Sequence, residues 1–272
     1  MTELERVPPG VDPHVPSAAR IYDYLLGGKD NLAVDRAVGD RLLSVAPDTR
    51  AVARANRVFL TRAVRHMAEQ GIRQFVDLGA GIPTSPSVHE VARKVNPACR
   101  VVYVDYDPMV RLHGEVLLSG DPGVVSVQGD IRTPRDILAG PHVTGLIDFE
   151  QPMAVLLVGV FHFITDEEDP AGIIAAFRER MAPGSFLVLS HAMSESDPEA
   201  IAQLILSTAN SPAQPTFRSR EELTALCDGF ELVGPGVAAV QDWRVPGDEE
   251  PALPLLEGTP KLRIDAVVGR LP

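Results

Sequence analysis

The chain of 272 residues has only two cysteines, Cys99 and Cys227, and no CxxC pair. This scarcity argues against both a disulfide framework and a zinc knuckle. No apolar run approaches the roughly 18 residues that a membrane-spanning helix needs. The opening residues, MTELERVPPGVDPHVPS, also lack the basic-then-apolar pattern of a secretory signal. We therefore expect a cytoplasmic protein without a membrane partner.

The sequence has fewer basic residues than acidic residues. The sequence has 25 Lys and Arg against 37 Asp and Glu, which gives a formal net charge of −12. Tight binding to a nucleic acid needs a concentrated basic face. The densest group of arginines, six within 50–73, alternates with apolar residues at helical spacing, a pattern typical of a solvated helix face. The charge favours a small-molecule substrate over a nucleic acid, and it leaves the oligomeric state open.

Short apolar runs alternate with helical segments from residue 73 onward. The runs are RQFVDLGAG (73–81), CRVVYVDYDP (99–108), GVVSVQGDIR (123–132), QPMAVLLVGVFHFI (151–164) and GSFLVLSHA (184–192). This alternation predicts an α/β fold with a parallel sheet covered by helices on both faces. Two later strands are expected within 230–240 and 261–271. In such sheets, ligands bind beyond the carboxyl ends of the strands.

The region before the first predicted strand does not show this alternation of apolar runs and helical segments. Residues 1–18 are rich in proline and predict a loose arm, whereas 17–70 are helical in pattern with breaks at Gly27-Gly28 and near Pro47. We expect an N-terminal arm and helical cap over 1–70 and a core over 71–272. Further helices are expected at 85–95, 169–184, 197–210 and 219–227, the last with a Ser219/Glu222 capping box.

A glycine turn follows the first predicted strand in VDLGAGIPT (76–84). Gly79 and Gly81 let the backbone turn sharply and approach a ligand closely. A dinucleotide fingerprint would have a third glycine where Thr84 stands, so a nicotinamide cofactor is disfavoured. The acid inside the motif, Asp77, would repel a pyrophosphate but suits a cationic ligand.

Two more acids stand at strand ends. Asp105 closes the second strand, 24 residues beyond Gly81, close to the spacing of about 20 expected for an acid that binds a ribose. Asp130 follows the third strand and can accept a hydrogen bond from an adenine amino group. Each acid alone is a common turn residue. Together they predict a site for a positively charged nucleoside.

The successive motifs FVDLGAG, VVYVDYDP, VQGDIR, LLVGVFHFITDEEDPAG and APGSFLVLSH resemble those of class I S-adenosylmethionine-dependent methyltransferases. YDYLLGGKDNLAVDR, ARANRVFL and DLGAGIPTSPSVHEVA resemble more specifically a bacterial S-adenosyl methyltransferase family of the DUF574 type. The resemblance runs from about Pro16 to Leu271. It implies a Rossmann-like, seven-stranded, mostly parallel sheet of order 3-2-1-4-5-7-6 whose last strand is antiparallel.

The resemblance also implies S-adenosylmethionine as the methyl donor and S-adenosylhomocysteine as its product. It places the Gly79–Gly81 turn near the methionine moiety, Asp105 on the ribose, and Asp130 and Ile131 around the adenine. The cofactor-binding residues expected on this basis are Asp77, Gly79, Ala80, Gly81, Asp105, Tyr106, Asp130, Ile131 and Gly159. The family does not supply the methyl acceptor.

The N-terminal segment YDYLLGGKDN can be interpreted as a clasp over the cofactor, with Gly27 and Gly28 in the bend and Tyr22 or Tyr24 packing on an apolar part. Lys29 is a weak candidate for a phosphate contact, because the residues around it do not complete a P-loop. The alternative is that the segment only docks a helical cap. Arg57 could pair with the cofactor carboxylate, with support from Asn56, or it could be an ordinary exposed arginine.

His162 follows the fourth strand, beside the expected sulfonium, so it is a candidate general base or else a packed residue of the turn. His191 carries the same ambiguity. The acidic run TDEEDP (165–170) is more typical of a helix N-terminus than of a metal site, and no metal is expected. Three functions remain: methyl transfer, binding of the cofactor without catalysis as a sensor or scaffold, and, least favoured, a NAD-dependent oxidoreductase.

Overall fold

The computed structural model describes residues 10–118, 120–209, 211–247 and 260–272. A mixed sheet runs through this part of the chain, with helices packed on both faces. Its strands are β1 (Gln74–Leu78), β2 (Arg100–Asp105), β3 (Val124–Gln128), β4 (Ala154–Val158), β5 (Phe186–Ala192), β6 (Glu231–Leu232), β7 (Ala238–Ala239) and β8 (Ile264–Arg270).

The predicted strand order is confirmed with one difference. The sheet has the order β3-β2-β1-β4-β5-β8-β6, β1 to β5 are parallel, and β8 is antiparallel to β5. The run 230–240, expected to be one strand, forms β6 and β7, each two residues long and each paired with β8. Gly234 and Gly236 take φ values of 67° and 72°, and the proline between them cannot donate to a ladder, so the strand is interrupted.

Both faces of the sheet are buried. All five residues of β1 are buried, with Val76 and Leu78 in one apolar core and Phe75 in the core on the opposite face. Successive side chains of a strand point to opposite faces, so a strand covered on both sides reads as a continuous apolar run. This is why β1, β2, β4 and β5 are recognisable in the sequence.

The helices are α1 (Ala18–Leu26), α2 (Ala33–Val45), α3 (Thr49–Glu69), α4 (Val88–Val95), α5 (Pro108–Leu117), α6 (Pro134–Ala139), α7 (Pro141–Leu146), α8 (Pro170–Arg178), α9 (Pro198–Thr208) and α10 (Arg220–Ala225). Each of the four helices expected after residue 84 forms, somewhat shorter than its sequence window. The capping box of α10 is confirmed: the Glu222 backbone N–H donates to Ser219 Oγ, and the Ser219 N–H donates to the Glu222 carboxylate at 2.7 Å.

The N-terminal helices divide between two cores. α3 packs on the sheet through residues such as Phe59 and Met67. α1 and α2 contribute Ile21, Leu25 and Leu42 to a separate apolar cluster shared with α9. Of the predicted loose arm, residues 1–9 lie outside the described part of the chain. In the portion that is described, no helix has the length and apolar content needed to cross a membrane.

Candidate active site

One cavity of about 220 Å³ opens at the carboxyl ends of β1, β2 and β4, between the sheet and the N-terminal helices. The three strand-end acids, Asp77, Asp105 and Asp130, all line it. The structure also brings most of the other predicted site residues to this cavity: Tyr22, Asn56, Arg57, Gly79, Ala80, Gly81, Tyr106, Ile131, Gly159 and His162. Most of the site residues predicted from the sequence therefore lie around one cavity.

The turn after β1 is fixed by the neighbouring strand. The backbone N–H groups of Gly79 and Ala80 donate to the Val104 carbonyl at 2.8 and 3.1 Å. Gly79 and Gly81 have φ values of 69° and 66°, in the left-handed region that favours glycine. A Cβ on Gly79 would lie 2.2 Å from Val160 Cγ2, so side chains other than glycine are excluded there by packing as well as by φ.

Asp105 is tied to two backbone groups. Gly81 N–H donates to its Oδ2 at 2.8 Å, and Asp107 N–H donates to its Oδ1 at 2.9 Å. Burial raises the pKa of Asp105 to about 6, although these N–H bonds act in the opposite direction. Each carboxylate oxygen keeps a further lone pair, so the group can still accept hydrogen bonds from a ligand.

Asp77 lies on the α3 face of β1 and is 5% exposed. No described residue donates a hydrogen bond to its carboxylate. Burial raises the pKa of Asp77 to about 7; the nearby Arg57 opposes this shift, and Asp105 adds to it. A buried carboxyl group without a donor is costly unless a cation neutralises it, so the cavity carries a built-in preference for positive charge.

Asp130 differs from the other two acids because it already has a partner. Arg132 donates to it from Nε at 2.8 Å, from Nη2 at 2.6 Å and from its backbone N–H at 3.0 Å, and Arg132 also reaches Glu168. Burial alone would raise the pKa of Asp130, but these bonds outweigh it and the pKa lies below its ordinary value. The neighbouring Ile131 is buried and lines the cavity.

α1 and α3 supply a polar edge to the cavity. The Tyr22 hydroxyl donates to the Ala53 carbonyl at 2.9 Å and accepts from Asn56 Nδ2 at 3.3 Å. Asn56 is buried, and its Oδ1 has no partner among the described residues. A Cβ on Gly159 would come within 3.0 Å of Asn56 Nδ2, so the absence of a side chain at Gly159 leaves room for the Asn56 side chain of α3.

Arg57 is partly committed to the loop after the glycine turn. Its Nη2 donates to the carbonyls of Thr84 and Pro86, each at 2.9 Å. The interpretation of Arg57 as an ordinary exposed helix residue does not agree with these contacts. They stabilise the loop that leads into α4, and the remaining guanidinium N–H groups are left for a ligand.

Gly28 and Lys29 are not brought to the cavity; both are exposed and neither lines it. The segment instead folds around Asp23, whose carboxylate accepts from the Asp30 N–H at 3.0 Å and from Asn31 Nδ2 at 2.8 Å. A Cβ on Gly28 would lie 1.9 Å from Asp23 Oδ1, so this glycine serves the turn.

Of the two tyrosines in the segment, only Tyr22 lines the cavity. The Tyr24 hydroxyl lies 2.5 Å from Asp40, and the Tyr24 ring packs where a Cβ on Gly39 would clash with it.

His162 lies in the 3₁₀ turn Phe161–Phe163 directly after β4, with its Nδ1 buried and without a partner among the described residues. Its carbonyl accepts from the Thr216 N–H at 2.6 Å. Burial, with smaller contributions from His191 and Arg218, lowers the pKa of His162 to about 3. The ring is therefore neutral and a weak proton acceptor, which favours the packing interpretation over general-base catalysis.

His191 serves as a structural link. Arg218 Nη1 lies 2.7 Å from His191 Nε2, and His191 Nδ1 lies 2.8 Å from the Ala192 carbonyl. Because a guanidinium only donates, Nε2 accepts and Nδ1 carries the hydrogen. Arg218 also reaches the Ile164 carbonyl and Asp166, so it holds the turn after β4 against the end of β5.

The acidic run 165–170 is used in local contacts: Asp166 pairs with Arg218, Glu168 with Arg132, and Asp169 caps α8 by accepting from the Gly172 N–H at 3.0 Å. Within the described ranges, no group of three or more His, Cys, Asp or Glu side chains could hold a metal ion.

The far side of the cavity is an apolar wall whose individual residues were not identified from the sequence. It consists of residues from α1, α2, α9 and the segment after α9: Ile21, Leu25, Val38, Leu42, Leu204, Pro212, Ala213, Pro215 and Phe217. In the sequence these residues look like ordinary packing positions of amphipathic helices, and only the tertiary arrangement turns them toward one space.

Comparisons with known proteins agree with this geometry. Residues 5–270 match the S-adenosyl methyltransferase family. A proposed methyltransferase from Thermobifida fusca YX is similar in structure with a TM-score of 0.90, at 40% sequence identity over 98% of each chain. A DUF574 family protein from Streptomyces avermitilis MA-4680 has a TM-score of 0.87 at 35% identity, over 96% of this chain and 99% of that one. No curated protein matches the sequence.

The family match spans nearly the whole chain, and both structures share sequence as well as fold over almost their full lengths. The chain therefore belongs to the S-adenosyl methyltransferase family and is an S-adenosylmethionine-dependent methyltransferase.

Proposed function

We propose that this methyltransferase transfers a methyl group to a small-molecule acceptor that lies beside the cofactor in the same cavity. The observation that carries the proposal is the composition of the lining. One end has the carboxylates and the glycine turn, and the other end is an apolar wall built by the N-terminal helices, by Leu204 of α9 and by residues of 212–217. A cavity used for the cofactor alone would not need the second end.

The residues at the carboxylate end fit S-adenosylmethionine. Asp77, buried and without a hydrogen-bond donor, suits a sulfonium or an ammonium group. Asp105 has lone pairs left for the ribose hydroxyls, and the positive-φ turn at Gly79 and Gly81 lets the backbone approach the ligand. The unpartnered Asn56 Oδ1 is an acceptor for the ammonium group.

When bound, the cofactor supplies an electrophilic methyl group on a sulfonium. The contribution of the chain is positioning and exclusion of water, which is the main requirement of an in-line displacement. Tyr22 and Asn56 cover the cavity from the helical side, and Arg57 is placed to pair with a carboxylate on the methionine end. We assign His162 to the wall of the cavity as a neutral ring, with no proton-abstracting role.

The two alternatives are less well supported. A sensor that only binds the cofactor would be expected to close the cavity beside the sulfonium, whereas this cavity continues to Leu204, Pro215 and Phe217. A NAD-dependent oxidoreductase would have to place a pyrophosphate near Asp77 and to pack Thr84 where the dinucleotide fingerprint has a glycine.

The test begins with calorimetry of the purified protein against S-adenosylmethionine, followed by incubation with cofactor labelled in the methyl group and a metabolite extract. We expect cofactor binding and at least one labelled small product. Cofactor binding without any labelled product would contradict methyl transfer in favour of the sensor, and absence of cofactor binding would contradict the whole proposal.

A further inference from the structure

The apolar end of the cavity is built almost entirely from hydrocarbon side chains. α1 and α2 contribute Ile21, Leu25 and Leu42, and the opposite side is formed by Leu204 and Phe217. These residues belong to one apolar cluster rather than to the cores of the sheet. A ligand that lies here loses its water, which favours apolar surface at about 25 cal/mol per Å² buried.

The hydroxyl groups of this wall already have partners. Thr49 Oγ1 donates to the Ala46 carbonyl at 2.7 Å, and Thr208 Oγ1 donates to the Leu204 carbonyl at 2.8 Å. Both bonds are local to a helix end or turn. A ligand with several polar groups at this end would have to bury them without compensating hydrogen bonds, at a cost of about 1–3 kcal/mol each.

The arginine side chains of the cavity lining also have partners already. Within the described residues the lining has three arginines: Arg132 is paired with Asp130, Arg263 is paired with Asp265 at 2.6 Å, and Arg57 donates to the Thr84 and Pro86 carbonyls at the end proposed to bind the cofactor carboxylate. No lysine of the described lining faces the cavity. Once Arg57 is committed to the cofactor, an acceptor that carries a carboxylate or phosphate would find no uncommitted cation in the described lining, which also carries Asp77, Asp105 and Asp130.

His162 is the polar group that connects the two ends. It follows Gly159 and Val160, which lie at the cofactor end, and its carbonyl accepts from Thr216, which stands between Pro215 and Phe217 of the apolar wall. Its neutral ring can share a hydrogen bond with a hydroxyl or amine but offers no charge to an anion.

We propose that the acceptor is an uncharged, largely apolar small molecule with its polar group beside His162, and that Leu204 is a specificity-determining residue of its pocket. This inference rests on the proposed function, because it concerns the space next to the bound cofactor.

The test uses two bicyclic probes of similar shape, neutral 2-naphthol and anionic 6-hydroxy-2-naphthoate. Each is titrated into the full-length protein saturated with S-adenosylhomocysteine, which cannot donate a methyl group. We expect 2-naphthol to bind at least tenfold more tightly. Equal affinities, tighter binding of the naphthoate, or no binding of 2-naphthol would overturn the proposal. This comparison uses the unmodified protein and does not depend on a variant folding.

Two variants on the same helix locate the site. Leu204→Arg places a cation in the lining, whereas Leu206→Arg changes a side chain that is 69% exposed and lies outside the lining. We expect Leu204→Arg to lose at least tenfold in 2-naphthol affinity and Leu206→Arg to match the unmodified protein. Equal effects of the two substitutions would contradict the proposed pocket.

Binding of S-adenosylhomocysteine is measured separately for all three proteins and should be unchanged. If the unmodified protein did not bind S-adenosylhomocysteine, the proposed function itself would be refuted. Normal binding together with the wrong probe preference would refute only the class of acceptor.

Discussion

At the scale of single residues, the two glycines of the turn after β1 serve different purposes. Gly79 faces Val160, and a Cβ there would lie 2.2 Å from a Val160 methyl carbon. Gly81 faces open space, and its N–H holds Asp105 at 2.8 Å. Gly79 is therefore a packing requirement of the turn, whereas Gly81 leaves room for a ligand.

We expect Gly79→Ala to weaken S-adenosylmethionine binding at least tenfold and to lower stability by about 1–3 kcal/mol, because the residue combines a positive φ with a steric conflict. Calorimetry and chemical denaturation measure the two effects. Gly145→Ala is the control, since a Cβ there meets no atom within 4 Å in α7. Normal cofactor affinity in Gly79→Ala would show that the turn does not contact the ligand.

The raised pKa of Asp77 predicts a pH dependence of cofactor binding. A carboxylate attracts a cation and a neutral carboxyl group does not, so affinity should be highest above pH 7 and fall about fivefold between pH 7 and pH 6. A bound cation lowers the pKa of Asp77, so binding near pH 7 should release protons. Calorimetry in two buffers of different ionisation enthalpy measures that release.

The matched substitution for this pH effect is Asp77→Asn, which should bind more weakly at pH 8 and should reduce the pH dependence to the part that Asp105 contributes. Asp136→Asn, at an exposed position of α6, should behave like the unmodified protein. An unchanged pH profile in Asp77→Asn would assign the titration to another group.

At the scale of elements, the attachment of the helical cap to the sheet depends on a buried ionic network. Asp35 is fully buried and accepts from Arg20 Nε at 2.7 Å, from the Ser17 N–H at 2.9 Å and from the Leu32 N–H at 2.8 Å. The Ser17 hydroxyl donates to Asp107 at 2.5 Å. The N-terminal arm, expected to be loose over residues 1–18, is therefore held at Ser17 near its C-terminal end.

This network also reaches the cofactor site. Asp107 caps α5 by accepting from the Met109 N–H at 2.8 Å, and its own N–H donates to Asp105. Asp107 therefore contacts both Ser17, just before α1, and Asp105, the carboxylate proposed to bind the ribose.

Arg20→Met should destabilise the protein by about 3–5 kcal/mol, because it leaves the buried charge of Asp35 without its cation. Arg41→Met, at an exposed position of α2, should change stability by less than about 0.5 kcal/mol. Chemical denaturation measures both, and limited proteolysis should cut the Arg20→Met protein first within α1 and α2. Similar stability of the two variants would mean that Asp35 gains water when its partner is removed.

At the scale of the whole molecule, the cavity joins parts of the chain that are distant in sequence. Its lining runs from Ala18 in α1 to Ile264 in β8. A ligand there contacts the cap, the sheet edge and the segment after α9 simultaneously, so its binding energy should stabilise all of them together.

Saturating S-adenosylmethionine should therefore slow amide hydrogen exchange in α1 and α2 as well as in the turn at 79–81. α7 lines no part of the cavity and is the internal control. Protection limited to the turn would show that the cap does not take part in cofactor binding.

Sequence alone determined the sheet and the carboxylate end of the site. Strands buried on both faces must be apolar throughout, and a parallel sheet brings all its carboxyl ends to one edge, so Asp77, Asp105 and Gly81 could be placed together from their positions in the chain. Gly28 and Lys29 were predicted at the cofactor and lie outside the cavity lining, because a turn closed around Asp23 uses the same residue types as a ligand clasp.

Only the tertiary structure decided which side chains form the second half of the cavity and how the acids differ. Ile21, Leu42 and Leu204 follow the pattern of any amphipathic helix, and their common space depends on how α1, α2 and α9 pack. Asp77 and Asp130 look equivalent in the sequence, yet one is buried without a donor and the other is paired with Arg132. Burial and pairing are properties of the neighbours that a residue acquires on folding, and those neighbours are distant in the chain.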